Sequence, residues 1–135
     1  MSGGWIGVDF DGTLATYDAW RGSSHTGEPI APMIERVKAW LAEGREVRIF
    51  TARVWPHALI SPDWNVSVIS GADKERLFES TGSALAVQQW CQKHIGRILP
   101  ITCVKDYGMI ELWDDRAVQV RMNTGEPVGE STRGL

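Results

Sequence analysis

The chain has 135 residues, a formal net charge of −3 at neutral pH and a 43% share of hydrophobic residues. This length suits one domain with its own core, and the ordinary composition argues against a disordered chain. The slightly acidic balance argues against an extended nucleic-acid-binding surface or a membrane-binding surface.

The first predicted element is a short apolar strand over residues 5–9, which leads into the sequence Asp9-Phe10-Asp11-Gly12-Thr13. Residues i and i+2 of a strand point to the same side, so the carboxylates of Asp9 and Asp11 converge. Two like charges this close repel each other unless a cation neutralises them or one of them is protonated. Mg²⁺ would neutralise them and make a phosphate tolerable beside them, while Gly12 lets the backbone turn close to a ligand.

A loop excursion or flap over 15–30 follows, which is rich in Gly, Ser and Thr. Pro32 then suits the first turn of a helix, whose apolar residues repeat at helical spacing until Gly44 ends it. The second strand is predicted over 47–50, and it delivers Thr51 at its end.

The next stretch is the least regular part of the sequence. We interpret 54–82 as an irregular insertion, because prolines and glycines interrupt it; a short strand over 66–69 or a helix over 73–78 is the alternative within it. A second helix is predicted over 84–95, with Gly96 as its end.

The remaining strands are predicted over 101–104, 110–113 and 117–120, and 124–135 is expected to be a flexible tail. Strands that alternate with helices predict an α/β fold, a three-layer Rossmann-like parallel sheet of about five strands with helices on both faces. We expect 1–135 to form one domain. The cysteines Cys91 and Cys103 lack metal-ligand spacing and are expected to be reduced.

Ligands of such sheets bind beyond the carboxyl ends of the strands, where four polar motifs fall. These are Asp9-Phe10-Asp11-Gly12-Thr13, Thr51 in Ile49-Phe50-Thr51-Ala52-Arg53, Lys105 in Thr102-Cys103-Val104-Lys105-Asp106, and the acidic pair in Leu112-Trp113-Asp114-Asp115-Arg116. With these motifs in this order, the chain resembles the haloacid dehalogenase-like (HAD) hydrolase superfamily from residue 7 to about residue 125. The windows in which that family inserts cap domains are short here, so the chain resembles the small capless phosphatase branch with its bacterial and bacteriophage members.

The resemblance implies a Mg²⁺-dependent phosphatase that hydrolyses a phosphomonoester through an aspartyl-phosphate. Asp9 would be the nucleophile, and Asp11 would be the general acid and then the general base. Thr51 and Lys105 would complete the catalytic set. Asp11 favours rapid turnover, because relatives that store the phosphoaspartate carry Thr at that position.

The resemblance also implies the binding residues. The metal ligands would be Asp9, Asp11 through its backbone carbonyl, Asp114 and Asp115, with the choice of Asp114 or Asp115 as the direct ligand left open. The phosphate-binding residues would be Gly12, Thr51, Ala52, Arg53 and Lys105.

Plainer interpretations stand beside these. Asp9 and Asp11 also suit a solvated turn, Asp114 and Asp115 a helix cap, Lys105 a surface position, and Arg53 and Arg116 structural salt bridges. The alternative function is a phosphoacceptor signalling module, or a phospho-ligand-binding module without turnover.

The expected partner is a small phosphorylated substrate. A nucleotide or a nucleic-acid 3′-phosphate end is favoured over a sugar phosphate or a phosphoprotein, which stay open. Trp20, Trp55 and Trp64 occupy loops near the proposed entrance and suit stacking on a base or sugar, although packing under the long loops or a subunit contact is the plainer interpretation of each. We expect no membrane partner and a cytoplasmic location, because the amino terminus lacks signal-peptide features and no apolar run reaches membrane-spanning length. Association into homo-oligomers is left open.

Overall fold

The computed structural model describes residues 3–54 and 71–129, with the side chains of the helix that begins at residue 71 described from residue 79 onward. Its elements are, in chain order, β1 (Trp5–Val8), α1 (Ala31–Ala42), β2 (Glu46–Phe50), α2 (Gly71–His94), β3 (Ile101–Thr102) and β4 (Met109–Trp113). The four strands form one parallel sheet in the order β3-β2-β1-β4. The α/β class is therefore confirmed. Over 3–54 and 71–129, none of the helices has the length and apolar character needed to cross a membrane.

The central position of β1 follows from its sequence. All of its residues are buried, as expected for an inner strand of a parallel sheet, whose two faces are both covered. Ile6 pairs with Val47 of β2 and Val8 pairs with Ile49, so the apolar side chains of both strands point to the same side. The polar sequence that follows Val8 therefore begins where the sheet ends.

The first helix begins and ends close to where the sequence predicts. Pro32 lies in its first turn, where the fixed φ of proline is compatible with a helix and its missing N–H is not needed. Met33 and Val37 are buried one turn apart. The chain leaves the helix through Gly44, which has a φ of +81° that few other residues adopt.

The second helix differs from the prediction, because α2 is one continuous helix of 24 residues. It replaces the last part of the predicted irregular insertion 54–82 and contains both the predicted helix 73–78 and most of the predicted helix 84–95. The predicted strand 66–69 lies outside the described residues. Gly82 favoured a break, but the helix continues through it, and a Cβ at this position would meet Ser23 Oγ at an ordinary contact distance of 3.4 Å.

Both helices pack into one core. Val8 and Trp113 are paired in the sheet and so face the same side. Trp113 contacts Trp40 of α1 at a centroid distance of 5.2 Å, and Phe10 contacts Trp90 of α2 at 4.9 Å. The buried members of this core are Ile6, Val8, Phe10, Leu14, Ala15, Met33, Ile34, Val37, Val47, Ile49, Val87, Trp90, Cys91, Ile95 and Leu99. Helices on both faces of the sheet stay a prediction.

The segment that joins β3 to β4 contacts the other side of the sheet. Trp5 Nε1 donates a hydrogen bond of 2.7 Å to Asp106 Oδ1, and this bond lowers the pKa of Asp106. The Arg48 guanidinium lies 4.5 Å from the Trp5 ring centroid and 3.4 Å from Asp106 Oδ2. A short connection of six residues, 103–108, therefore takes the place that a crossover helix often occupies in such folds.

The end of the described chain also differs from the prediction. Residues 117–120 do not form a strand of the sheet; Val120 makes an isolated antiparallel bridge with Pro127. This bridge closes a turn that includes the first residues of the predicted flexible tail. The last residues of that tail, 130–135, lie outside the described residues.

Candidate active site

Three strand ends of the sheet meet at one cavity. Asp9 follows β1, Thr51 follows β2, and Asp114 and Asp115 follow β4. All of them line a cavity of about 770 Å³. The strand-end rule thus places the side chains of three of the four sequence motifs in one space.

The turn after β1 shapes the floor of this cavity. The Phe10 carbonyl accepts hydrogen bonds from the amides of Thr13, Leu14 and Ala15, at 3.3, 3.0 and 2.9 Å. These bonds curl the chain back on itself immediately after the strand. Asp11 lies in this curl, and Phe10 points into the core beneath it.

The same turn is tied to the end of β4. Thr13 Oγ1 accepts a hydrogen bond of 3.1 Å from the Asp115 amide and lies 3.4 Å from Asp115 Oδ1, to which its hydroxyl donates. Gly12 has a φ of +88°, and a Cβ there would lie 2.7 Å from Asp115 Oδ2. Only glycine satisfies both the backbone conformation and the close approach of the carboxylate.

We expect Gly12→Ala to displace Asp115 and to weaken divalent-metal binding. The positive φ alone destabilises the fold by about 1 kcal/mol. Gly44→Ala is the matched control, because Gly44 has a φ of +81° with nothing within 4 Å of the added carbon. Both variants should unfold at a lower temperature, but calorimetric titration with Mg²⁺ should show weaker binding only for Gly12→Ala. Equal affinities in the two variants would contradict the role given to Asp115.

Three carboxylates form a cluster that fits a metal ion. Asp9, Asp114 and Asp115 each offer one oxygen, and these oxygens lie within 4.8 Å of one another. Burial of Asp9, together with the nearby charge of Asp114 and the contact with Asp115, raises the pKa of Asp9 to about 7. A proton or a cation is needed to hold like charges in such a cluster, and an all-oxygen donor set suits Mg²⁺. Both Asp114 and Asp115 are in place, so either can serve as a ligand.

The Asp11 carboxylate is bound to Arg53. Arg53 Nε donates to Asp11 Oδ2 at 2.7 Å, and Arg53 Nη2 donates to Asp11 Oδ1 at 2.9 Å. The two side chains therefore form a bidentate ion pair. The side chain of Arg53 is only 4% exposed and that of Asp11 19%, so solvent screens the pair little. The salt bridge that the sequence left as an alternative for Arg53 is therefore present.

Arg53 also holds the loop that the sequence predicts as a flap. Its Nη1 donates to the carbonyl of Ser23 at 3.3 Å, and its Nη2 donates to that of His25 at 2.8 Å. Its guanidinium lies 5.0 Å from the Trp20 ring centroid and 5.3 Å from that of Phe10. One side chain thus connects the end of β2, the turn after β1 and the loop.

The other predicted residues are distributed as follows. Thr51 is buried and its Oγ1 accepts a hydrogen bond of 3.1 Å from the Arg53 amide. Ala52 and Arg116 line the cavity. Asp114 Oδ1 accepts a hydrogen bond of 2.8 Å from the Arg116 amide, but no helix follows β4 within residues 114–129. The helix-cap interpretation is therefore wrong, and Asp114 caps a turn while belonging to the carboxylate cluster. Lys105 is exposed and is not among the residues that line this cavity.

Part of the cavity wall was missed in the sequence. Glu79, Ser80 and Ser83 of α2 line the cavity, as does Tyr17 of the loop. The spacing of Ser80 and Ser83 places two small polar residues on one helix face, and this signal was available. The predicted helix begins only at residue 84, whereas α2 begins at Gly71 and so includes both serines.

The family resemblance noted in the sequence rests on four short motifs, and the structure shows where each of them lies. The first, second and fourth motifs reach the cavity, and Lys105 of the third does not line it. Compared with protein-family models, with curated proteins and with solved structures, the chain gives no match.

Proposed function

We propose that this protein is a Mg²⁺-dependent phosphatase of the HAD-like superfamily, in its small capless branch, and that it hydrolyses a phosphomonoester through an aspartyl-phosphate. The observation that carries the proposal is the meeting of Asp9, Asp114 and Asp115 within 4.8 Å of one another, next to the Asp11–Arg53 pair. A partly buried carboxylate cluster at the carboxyl ends of parallel strands suits a bound cation together with an anionic substrate.

The proposed metal ligands are the carboxylates of Asp9, Asp114 and Asp115, with the backbone carbonyl of Asp11. When bound there, Mg²⁺ would offset the charge of these carboxylates and of the transferring phosphoryl group. The raised pKa of Asp9 accords with this, because in the absence of a cation a proton takes over part of that neutralisation.

The residues of the chain would divide the reaction into two steps. A carboxylate oxygen of Asp9 forms a bond to phosphorus while the bond from phosphorus to the ester oxygen breaks, and Asp11 gives its proton to that oxygen. Asp11 then takes a proton from the water that attacks the phosphorus and releases Asp9 and inorganic phosphate. Two positioned carboxylates suffice, because orientation and charge stabilisation provide most of the acceleration in phosphoryl transfer.

Arg53 acts in this proposal as a positioning residue. Its two hydrogen bonds orient both oxygens of Asp11 as acceptors, which suits Asp11 as the base of the second step. For the first step, Asp11 would carry a proton on one oxygen, and the Arg53 hydrogen bond to that oxygen would open. Thr51 Oγ1, at the end of the neighbouring strand, would donate a hydrogen bond to a phosphoryl oxygen. Lys105 stays a predicted phosphate contact, whereas Arg116 is the cation that lines the cavity beside the acidic pair.

Hydrolysis of p-nitrophenyl phosphate tests the proposal. We expect steady turnover with Mg²⁺, none with excess EDTA, and recovery when Mg²⁺ is restored. Glu111→Gln is the control, because it removes an exposed carboxylate of β4 that does not line the cavity; its turnover should equal that of the unmodified protein. Release of one equivalent of p-nitrophenol without further turnover would instead identify the phosphoacceptor alternative, and metal-independent turnover would refute the metal site.

A further inference from the structure

We propose that Trp20, with Tyr17 beside it on the same loop, forms a stacking site for the base of the substrate, and that the substrate is a nucleoside phosphomonoester. This inference rests on the proposed phosphatase function and adds the identity of the alcohol from which phosphate is removed. It is carried by the exposure of these two rings, by their place on the cavity wall and by the contact that joins Trp20 to Asp11 through Arg53.

The two rings are exposed, whereas the other four tryptophans of residues 3–54 and 71–129 are buried or half-buried. Trp20 is 53% exposed and Tyr17 is 47% exposed, whereas Trp5 and Trp90 are 2% and 4% exposed. Both exposed rings line the same cavity as Asp9 and Asp11. Burying such rings against a second planar ring would remove apolar surface from water and add favourable stacking.

Trp20 is held in position from one side. The Arg53 guanidinium lies 5.0 Å from its ring centroid, and Arg53 is itself fixed by Asp11 and by the carbonyls of Ser23 and His25. A ring that is already oriented loses little freedom when a ligand stacks on it, so more of the contact energy appears as affinity. The loop is closed at its base by the hydrogen bond of 2.8 Å from the Thr16 amide to the Glu28 carbonyl.

The contact through Arg53 also places Trp20 on the side of the leaving group. Asp11 protonates the ester oxygen in the proposed reaction, so the body of the substrate extends from that oxygen. The Asp11 Oδ2 to Arg53 Nε distance of 2.7 Å, one C–N bond and the 5.0 Å from Arg53 Cζ to the Trp20 centroid put the indole within about 9 Å of the carboxylate. One sugar ring separates the ester oxygen of a nucleotide from its base, and it can bridge a gap of this size.

The size of the cavity is consistent with such a substrate. Its volume of about 770 Å³ lies in the range of sites for ligands much larger than a phosphate group. The wall contributed by α2 carries the polar side chains of Glu79 and Ser83, which suit the hydroxyl groups of a sugar. A sugar phosphate would occupy the polar wall but leave the exposed rings uncovered, so the rings favour a base-bearing ester.

The first experiment compares adenosine 5′-monophosphate with ribose 5-phosphate, which lacks the base. We expect a kcat/KM ratio of about tenfold or more in favour of the nucleotide, as stacking on one aromatic ring provides. Trp20→Ala should bring the ratio close to one, mainly through KM, and Trp20→Phe should retain most of it. Tyr107→Ala is the control, because Tyr107 is fully exposed and does not line the cavity; its ratio should be unchanged. A ratio of one in the unmodified protein would overturn the inference and leave the phosphatase proposal intact.

The second experiment needs no turnover. Calorimetric titration with adenosine should show binding to the unmodified protein and to Tyr107→Ala, and at least tenfold weaker binding to Trp20→Ala. Binding of adenosine without hydrolysis of any ester would support the stacking site while refuting the phosphatase proposal. Absence of adenosine binding would overturn the stacking site.

Two further substrates identify the source of the nucleoside ester. A higher kcat/KM for a 3′-phosphorylated oligonucleotide than for adenosine 3′-monophosphate would indicate the end of a strand, and the reverse order would indicate a free nucleotide. Either order supports the inference, provided that Trp20→Ala lowers kcat/KM for the preferred substrate. A preference for phosphotyrosine over every nucleoside ester would overturn the inference. In phosphotyrosine the ester oxygen is attached directly to the aromatic ring, so no sugar separates the ring from the phosphate as the proposed site requires.

Discussion

Asp9→Asn is expected to reduce turnover of p-nitrophenyl phosphate to below about one-thousandth of its original rate, because an amide cannot form the aspartyl-phosphate. The variant should also bind Mg²⁺ more weakly, since one of the three clustered carboxylates is lost. The measurement is steady-state hydrolysis at saturating Mg²⁺, together with the thermal unfolding of the same preparation. Turnover above this level would refute Asp9 as the nucleophile.

The same variant should fold at least as well as the unmodified protein when metal is absent. The pKa of Asp9 is raised from 3.8 to about 7, so its contribution to stability is largest at low pH and is lost as the pH rises through 7. Asparagine does not ionise, so that loss disappears. We expect the unfolding temperature in EDTA to fall between about pH 4 and pH 7 for the unmodified protein and to level off above pH 7, and to fall less for Asp9→Asn. Glu35→Gln, which changes an exposed carboxylate of α1, should behave as the unmodified protein does.

Arg53→Met is expected to impair both stability and activity. Removing one partner of a largely buried ion pair leaves the Asp11 charge without compensation, which destabilises a protein by about 3 kcal/mol. Because the orientation of Asp11 is lost as well, kcat should fall by about 100-fold or more. Arg48→Met is the matched control, since Arg48 also pairs with a carboxylate and contacts a Trp ring, but away from the cavity.

A double variant separates the two effects of Arg53. Asp11→Asn combined with Arg53→Met leaves no unpaired charge, so the unfolding free energy should recover most of what the single variant loses. Activity should not recover, because the amide that replaces the Asp11 carboxylate cannot transfer the proton. Recovery of neither quantity would show that Arg53 acts mainly through its contacts with the loop carbonyls of Ser23 and His25, and recovery of activity would refute Asp11 as the acid.

Much of the turn and strand ends that line the cavity could be predicted from the sequence, because they depend on local rules. The apolar run before Asp9 identifies an inner strand. That strand ends at Val8, so Asp9 and Asp11 reach the cavity from the turn that follows it, and the two-residue period of a strand does not apply to them. The carboxyl ends of parallel strands share an edge, so Thr51 and Asp114 were expected to lie near them. The structure brings these residues to one cavity, as these rules predict.

What the sequence could not predict depends on long-range contacts. Arg53 and Asp11 are 42 residues apart, and nothing near either one in the chain indicates that they pair. The continuous helix α2 was not predicted because Gly82 has a low helix propensity, which is a weak signal that the rest of the fold can override. The predicted strand 117–120 has the β propensity of a strand but no neighbour in the sheet, and strand formation depends on such a neighbour.

The strand order has a consequence for the nascent chain. β1 is made early, but its neighbour on one side is β4, so two of the three clustered carboxylates, Asp114 and Asp115, are added about a hundred residues later. Such a distant pairing closes late in folding, because a long loop must be ordered before any contact stabilises it. A ribosome-bound intermediate that stops before residue 114 therefore contains Asp9 without the two carboxylates that would complete the proposed metal site. Under the proposed function, hydrolysis would have to wait until the polypeptide has been translated past that point.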